Sequence, residues 1–413
     1  MLDFILQKLI LYSGCAIPSI VFYILTRGQS IKHAGNGPSD WLLLFVSFIE
    51  IMVPVFYDSR GTVLDQVICA VMAIIMTSGM LYYVRDRRRT PEGQPIQPFY
   101  EILTHWNEKT STSVKVNDNK KHDDPVPQPT LGEMRLNAYK FLSRAILYTI
   151  IYIPVFATMD GFIRACQEPP ELSQPASYLY RLLTSVTPWR STFYFIWVGI
   201  TFSLHIALVP LVHLLLHAIQ LNVCVWLPVQ KQVQLKLHND LKKFVLQPPL
   251  FDKPWLTRSV YDLWSHRWHQ IFRIGFYQVA YLPVRHFFGK RNMPLVGRIV
   301  GSLAVFMCSG LMHDYIILSM LGYSDWRRPG ILGYQTLFFM LQGFASIVSV
   351  VSPRLPTVLS RTLTWIWVLY TAPLFVEPYI RVGLHHDLEV PGFPKFMDEP
   401  IQSICPYGNS TQF

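Results

Sequence analysis

Residues 296–320 read VGRIVGSLAVFMCSGLMHDYIILSM, an apolar run broken near its far end by His313 and Asp314. About 20 residues rising 1.5 Å each span the hydrocarbon core of a bilayer, so the run is long enough to cross as one helix. An aspartate at the centre of such a helix costs about 2.5–3.5 kcal/mol on insertion scales, and residues of this kind face a protein interior or a watery cavity. The alternative is that the pair sits at the membrane interface and marks the end of the span. The run by itself leaves both readings open.

Seven further apolar blocks extend the pattern to both sides: Phe4–Leu25, Leu42–Tyr57, Val63–Val84, Phe141–Met159, Phe193–Ile219, Ile331–Val351 and Val358–Ile380. Ile271–Phe288 is also apolar, but Arg273, Pro283 and Arg285 interrupt it, which suits a tilted, re-entrant or interfacial helix. Over 413 residues the chain is 51% hydrophobic and 15% charged, with the apolar residues gathered in blocks. This is the composition of an all-α, polytopic integral membrane protein with about eight transmembrane helices. The first block lacks a basic flank and a small-residue cleavage site, so it reads as a retained span.

A formal charge of +10 would suit a nucleic-acid partner, but most Lys and Arg lie in a few loops between apolar blocks. The positive-inside rule accounts for them, and no nucleic acid is expected. The cluster Arg85-Asp86-Arg87-Arg88-Arg89 and the basic stretch 231–273 are placed in the cytosol, with Lys290 and Arg291 just beyond it. A polar segment at about 90–135 then reads as a flexible cytosolic loop. Residues 160–190, the turn at 324–328 and the C-terminal tail 382–413, with its sequon Asn409-Ser410-Thr411, fall in the lumen.

Six cysteines show neither a CxxC pair nor the His/Cys spacing of a zinc site. Cys166 and Cys405 both lie on the luminal side of this scheme and could pair as a disulfide in an oxidising compartment. His213 and His217 stand four apart on one span, yet no third ligand is placed to complete a metal site, and none is expected.

A second constellation precedes the interrupted block: Arg258-Ser259-Val260-Tyr261-Asp262-Leu263-Trp264-Ser265-His266-Arg267-Trp268-His269-Gln270. Trp264 and Trp268 fall at i,i+4, with Asp262, His266 and His269 near one another on a helix. Alone, this stretch fits an aromatic belt at the membrane interface. Paired with Ser309-Gly310-Leu311-Met312-His313-Asp314, it resembles the wax-synthase-like branch of the membrane-bound O-acyltransferases. That group includes plant wax synthases, fungal acetyltransferases of terpenoid pathways and, more distantly, sterol and diacylglycerol acyltransferases. Pro248-Pro249-Leu250-Phe251 and Pro373-Leu374-Phe375-Val376-Glu377-Pro378 also match, so the resemblance covers roughly 225–380.

The resemblance implies an organisation: transmembrane helices over 1–220, a wax-synthase-like catalytic region over 221–381, and a tail. It implies an acyl-CoA-dependent O-acyltransferase of the endoplasmic reticulum. The reading preferred within it is transfer of acetyl from acetyl-CoA to a hydroxyl of a terpenoid-like secondary metabolite. Wax- or sterol-ester formation from a long-chain acyl-CoA is the alternative. A channel or transporter would carry more intramembrane charges, over several helices, than this chain does. The acyl-CoA is a co-substrate, no bound cofactor is implied, and the partners are a lipophilic alcohol and membrane lipid.

His313 takes the place of the family's membrane-embedded histidine, and His269 stands where many relatives have Asn. The expected catalytic residues are His313, His269 and Asp262, with Trp264, Arg267, Trp268 and Asp314 contacting substrate. A neutral imidazole accepts the proton an alcohol sheds as it attacks a thioester. A hydrogen bond from His269, Trp268 or a backbone amide would steady the oxyanion that forms. Arg258, Arg267, Lys290 and Arg291 are candidates to meet the CoA phosphates.

Overall fold

A computed structural model describes residues 2–29, 37–56, 63–96, 98–99, 128–173, 184, 188–227, 229–246, 250–269, 272–325, 331–353, 355–389 and 395–407. The middle of the expected cytosolic loop, Pro248-Pro249 and the sequon lie outside these residues. The long elements are α1 (Leu2–Thr26), α2 (Asp40–Phe56), α3 (Val63–Arg89), α4 (Leu131–Ala165), α5 (Pro188–Trp226), α6 (Lys231–Leu246), α7 (Pro294–Asp325), α8 (Tyr334–Val351) and α9 (Thr357–Arg381). Among the described residues six helices, α1, α3, α4, α5, α7 and α8, are long and apolar enough to cross a membrane. The chain is an all-α polytopic membrane protein.

Several helices run beyond the apolar block that predicts them, and the flanks show why. Leu131 opens α4 ten residues before Phe141 because Thr130 and Glu133 form a reciprocal capping box. The arginines after Val84 stay helical in α3, where Arg88 Nε meets Asp40 Oδ2 at 2.9 Å and ties α3 to the start of α2. At its far end α7 breaks at Gly322 (φ 68°), a left-handed conformation that a side chain would strain.

The interrupted block 271–288 is a broken helix: Arg273–Phe276, a π-helical segment Tyr277–Tyr281, then Leu282–Gly289. Pro283 has no N–H to give. The widened turn before it is closed instead by the N–H of Leu282 bonding to Tyr277 O, an i→i−5 bond.

Apolar side chains on the outside of the bundle, such as Ile146, Ile150 and Ile153 of α4 and Val209, Val212 and Leu216 of α5, present a lipid-compatible surface. Between helices in lipid there is little hydrophobic drive, so association depends on close packing through small residues. Gly199 of α5 faces Val376 of α9, Gly310 of α7 faces Thr336 of α8, and Gly343 of α8 faces Phe306 of α7. The core they frame joins Phe195, Val198 and Phe202 of α5 to Ile316 and Ile317 of α7, Phe338 and Phe339 of α8, and Leu374 and Tyr379 of α9.

The two ends of the bundle differ. One end carries the Arg87, Arg88 and Asp40 pairs, and Arg85 donates there to the carbonyl of Gln278. At the other, Cys166 and Cys405 form a disulfide, and Arg164 and Asp398 pair at 2.6 Å. There also Asp387 accepts the N–H of Leu64 at the start of α3.

Candidate active site

The first motif is held by its own side chains. Ser259 caps the turn Val260–Asp262 by accepting the N–H of Asp262 at 3.0 Å, and the chain continues as π-helical turns over Leu263–Arg267. Asp262 Oδ2 takes Arg267 Nε at 2.8 Å and the Arg258 N–H at 3.0 Å. Burial would raise this carboxyl, but Arg267 and the Arg258 N–H outweigh it and hold it below its ordinary value. Arg267 also donates to the carbonyls of Asp252 and Lys253. The Asp262–Arg267 pair therefore folds the 252–267 segment into a unit in which Trp255 and Tyr261 are exposed, while Trp264, beside Trp268, packs against the core.

Those aromatic residues build a wall. Trp264 lies 5.6 Å from Trp268 and 5.7 Å from Phe339, centroid to centroid, and its indole N–H reaches Gln342 Oε1 at 3.4 Å. Phe251 packs edge-on against Trp268 at 5.0 Å and His269 at 6.1 Å. His269 closes the motif. Its Nδ1 is buried and meets no hydrogen-bond partner among the described residues. Burial draws the imidazole down to about 4, so at neutral pH the ring is neutral and has one N–H to give.

His313 lies across from this wall, on α7. Its ring stacks on Phe339 (centroids 5.1 Å, interplanar angle 11°) and meets Phe375 edge-on at 5.0 Å. Nδ1 stands 2.9 Å from the hydroxyl of Tyr379. Phe339 bridges His313 to Trp264, and Trp264 packs on Trp268, whose ring lies 6.2 Å from that of His269. The two motifs, some 45 residues apart in sequence, thus meet at one place.

Asp314 turns the other way. Its Oδ1 accepts the N–H of Gly333 at 3.0 Å, and its Oδ2 takes the hydroxyl of Thr336 at 2.5 Å and its N–H at 3.3 Å. It caps the N-terminus of α8, where an anionic group is favoured by unsatisfied N–H groups and by the helix dipole. Gly310, one turn earlier, brings α7 so close to α8 that a Cβ there would lie 2.4 Å from Thr336 Cα. Asp314 thus locks α7 to α8, while the His313 ring packs among Phe339, Phe375 and the Tyr379 hydroxyl. Asp262 and Arg267 likewise spend their bonding capacity on each other and on nearby backbone.

Tyr379 and Phe339 are the members of the site that the motifs do not name. Phe375 lies inside PLFVEP and Tyr379 one residue past it. Elsewhere, His205 bonds the carbonyls of Thr201 and Leu388, and His213 stacks on His217 at 3.9 Å, both remote from His313 in their contacts. Arg291 lies over the ring of Phe287 at 3.6 Å.

Residues 247–341 match the family described as "Membrane bound O-acyl transferase family". The chain is 31% identical over 106 residues to the probable long-chain-alcohol O-fatty-acyltransferase 1 of Arabidopsis thaliana, covering 26% of this chain and 29% of that one. It is 28% identical over 145 residues to the acyl-CoA–sterol O-acyltransferase 1 of the same plant, covering 33% and 40%. It is 26% identical over 142 residues to the acetyltransferase aurG of Calcarisporium arbuscula, covering 32% and 34%. The similarity thus spans less than half the length of each of these relatives. His269 and His313 both lie in the segment that matches the membrane bound O-acyl transferase family.

Proposed function

We propose that this protein transfers an acyl group from acyl-CoA to the hydroxyl of a lipophilic alcohol, with His313 as general base. The observation that carries the reading is the meeting of His313, paired with Tyr379, and His269, with its open Nδ1, at one aromatic cluster, both histidines lying inside the family-matching segment. If His313 Nδ1–H donates to Tyr379, Nε2 keeps its lone pair for the substrate. The alcohol oxygen then bonds to the thioester carbon as Nε2 takes its proton. The carbonyl oxygen gains charge and accepts a hydrogen bond from His269. Collapse of the tetrahedral species breaks the C–S bond, and the proton on Nε2 passes to the departing thiolate. Trp264 and Trp268 offer flat apolar surface to an acyl chain or a ring system. The CoA phosphates cannot enter lipid, so we assign that end to the basic, cytosolic side in the endoplasmic reticulum.

The relatives' names divide on the acyl group. Acetyl transfer to a terpenoid-like hydroxyl is favoured by similarity to the fungal acetyltransferase, and a long-chain acyl group by the plant long-chain-alcohol enzyme. Membranes containing the protein, offered labelled acetyl-, octanoyl- and palmitoyl-CoA with a terpenoid, a sterol and a fatty alcohol, separate the two by the mass of the ester. No ester from any pair, with protein in the membrane, would defeat the proposal.

His269 gives a second test. Because it stays neutral, an Asn at this position offers an equivalent uncharged donor. His269→Asn is expected to keep most of the rate, and His269→Ala to lose about 2.7–4 kcal/mol of transition-state stabilisation, the range seen for a deleted oxyanion donor. Equal rates for the two variants would remove His269 from the reaction.

A further inference from the structure

Away from the pocket, at the end of the bundle that carries the disulfide, two histidines converge on one carboxylate. His385 Nε2 lies 2.8 Å from Glu168 Oε1, and His386 Nε2 lies 2.9 Å from the same oxygen. All three ligand-type atoms fall within 4.8 Å of one another. Adjacent residues on a helical turn ordinarily point about 100° apart. Here His385 and His386 are neighbours in the turn Leu384–Asp387, yet both rings bend to one point, with centroids 3.9 Å apart. His385 is fully buried, whereas His386 and Glu168 are 55% and 39% exposed, so the cluster has a fixed floor and an open side.

We propose that Glu168, His385 and His386 form a divalent-cation site that staples the end of α4 to the segment following α9. The donor set selects the ion. Two imidazoles and one carboxylate suit zinc, which accepts three protein ligands and a water in a tetrahedron; magnesium and calcium prefer oxygen. Zinc bonds of about 2.0–2.1 Å set ligand atoms roughly 3.4 Å apart in a tetrahedron. The observed 2.8 and 2.9 Å need to open by only about half an ångström. The other ring nitrogen of His386 lies 3.4 Å from Glu389 Oε1, the carboxylate partner that orients a zinc-bound imidazole. Two residues before Glu168, Cys166 is bonded to Cys405, which places the cluster in an oxidising compartment, and zinc has no redox chemistry there.

The test uses the full-length protein in detergent, stripped with a chelator and then titrated with zinc sulfate. Bound metal is read by mass spectrometry and the melting midpoint by intrinsic fluorescence. Uptake of about one zinc per chain is expected, with a rise of a few degrees in the midpoint. Both responses should vanish in Glu168→Gln and in His386→Ala, and persist in a His213→Ala, His217→Ala double variant. The two single changes fall on partly exposed side chains, and the midpoint of each variant without zinc reports its folding directly. No uptake by the unaltered protein would overturn the site. So would uptake that survives Glu168→Gln and His386→Ala, or that is lost in the double variant.

Discussion

His313→Ala is expected to lower acyl transfer by about 10²–10⁴-fold, the range for losing a positioned general base, while the protein still inserts and folds. Insertion is safe because removing a polar ring from an apolar helix lowers the cost of placing α7 in lipid. Folding is expected to hold because the lock between α7 and α8 depends on Asp314 and Gly310, not on His313. Tyr379→Phe keeps the ring that packs against Phe375 and Phe202 and removes only the hydroxyl 2.9 Å from His313 Nδ1. It should lose less activity than His313→Ala, because the base remains and only its tautomer and orientation are freed. His217→Ala is expected to change the rate by less than about tenfold, since loss of packing alone does not remove the base. Ester formation from a fixed acyl-CoA, normalised to protein in the membrane, measures all three. Substantial transfer by purified His313→Ala would end the mechanism. A dead His217→Ala beside a normal His313→Ala would move the chemistry to α5.

Gly310→Ala should damage the fold itself. A Cβ at this position meets Thr336 Cα at 2.4 Å and Thr336 N at 3.1 Å, and both are backbone atoms with no rotamer to escape into. The helices have to separate, which stretches the three hydrogen bonds Asp314 makes to the start of α8. Overpacking of this kind costs about 1–3 kcal/mol, and loosened bonds to a charged acceptor add to it. Gly289→Ala is the matched control, since nothing lies within 4 Å of a Cβ there. Thermal melting of the detergent-solubilised protein should show a clear drop for Gly310→Ala and none for Gly289→Ala. Equal midpoints would mean that α7 and α8 do not approach as described.

The architecture was legible because lipid leaves the chain few choices. Apolar blocks predict the helices, and the ends of α3 and α4 run past those blocks because charged and capped flanks also favour helix. Even the interruption at Pro283 was readable as a break, though not as a π-helical turn. His313 could be found from its motif. Its partners could not: Tyr379 is 66 residues away, and its hydroxyl is indistinguishable in sequence from that of any other tyrosine. The split in duty between His313 and Asp314 was also hidden, since neighbours in sequence say nothing about which helix face each occupies. Glu168 and His385, 217 residues apart, gave no spacing to read.

The bond between Cys166 and Cys405 closes everything from the end of α4 to the tail into one covalent ring. His269, His313, Tyr379 and helices α5 to α9 lie inside that ring. A single backbone cut anywhere within it leaves one molecule under oxidising conditions and two fragments after reduction. This part of the chain is therefore topologically circular, and peptide bonds in its loops are dispensable for keeping its parts together.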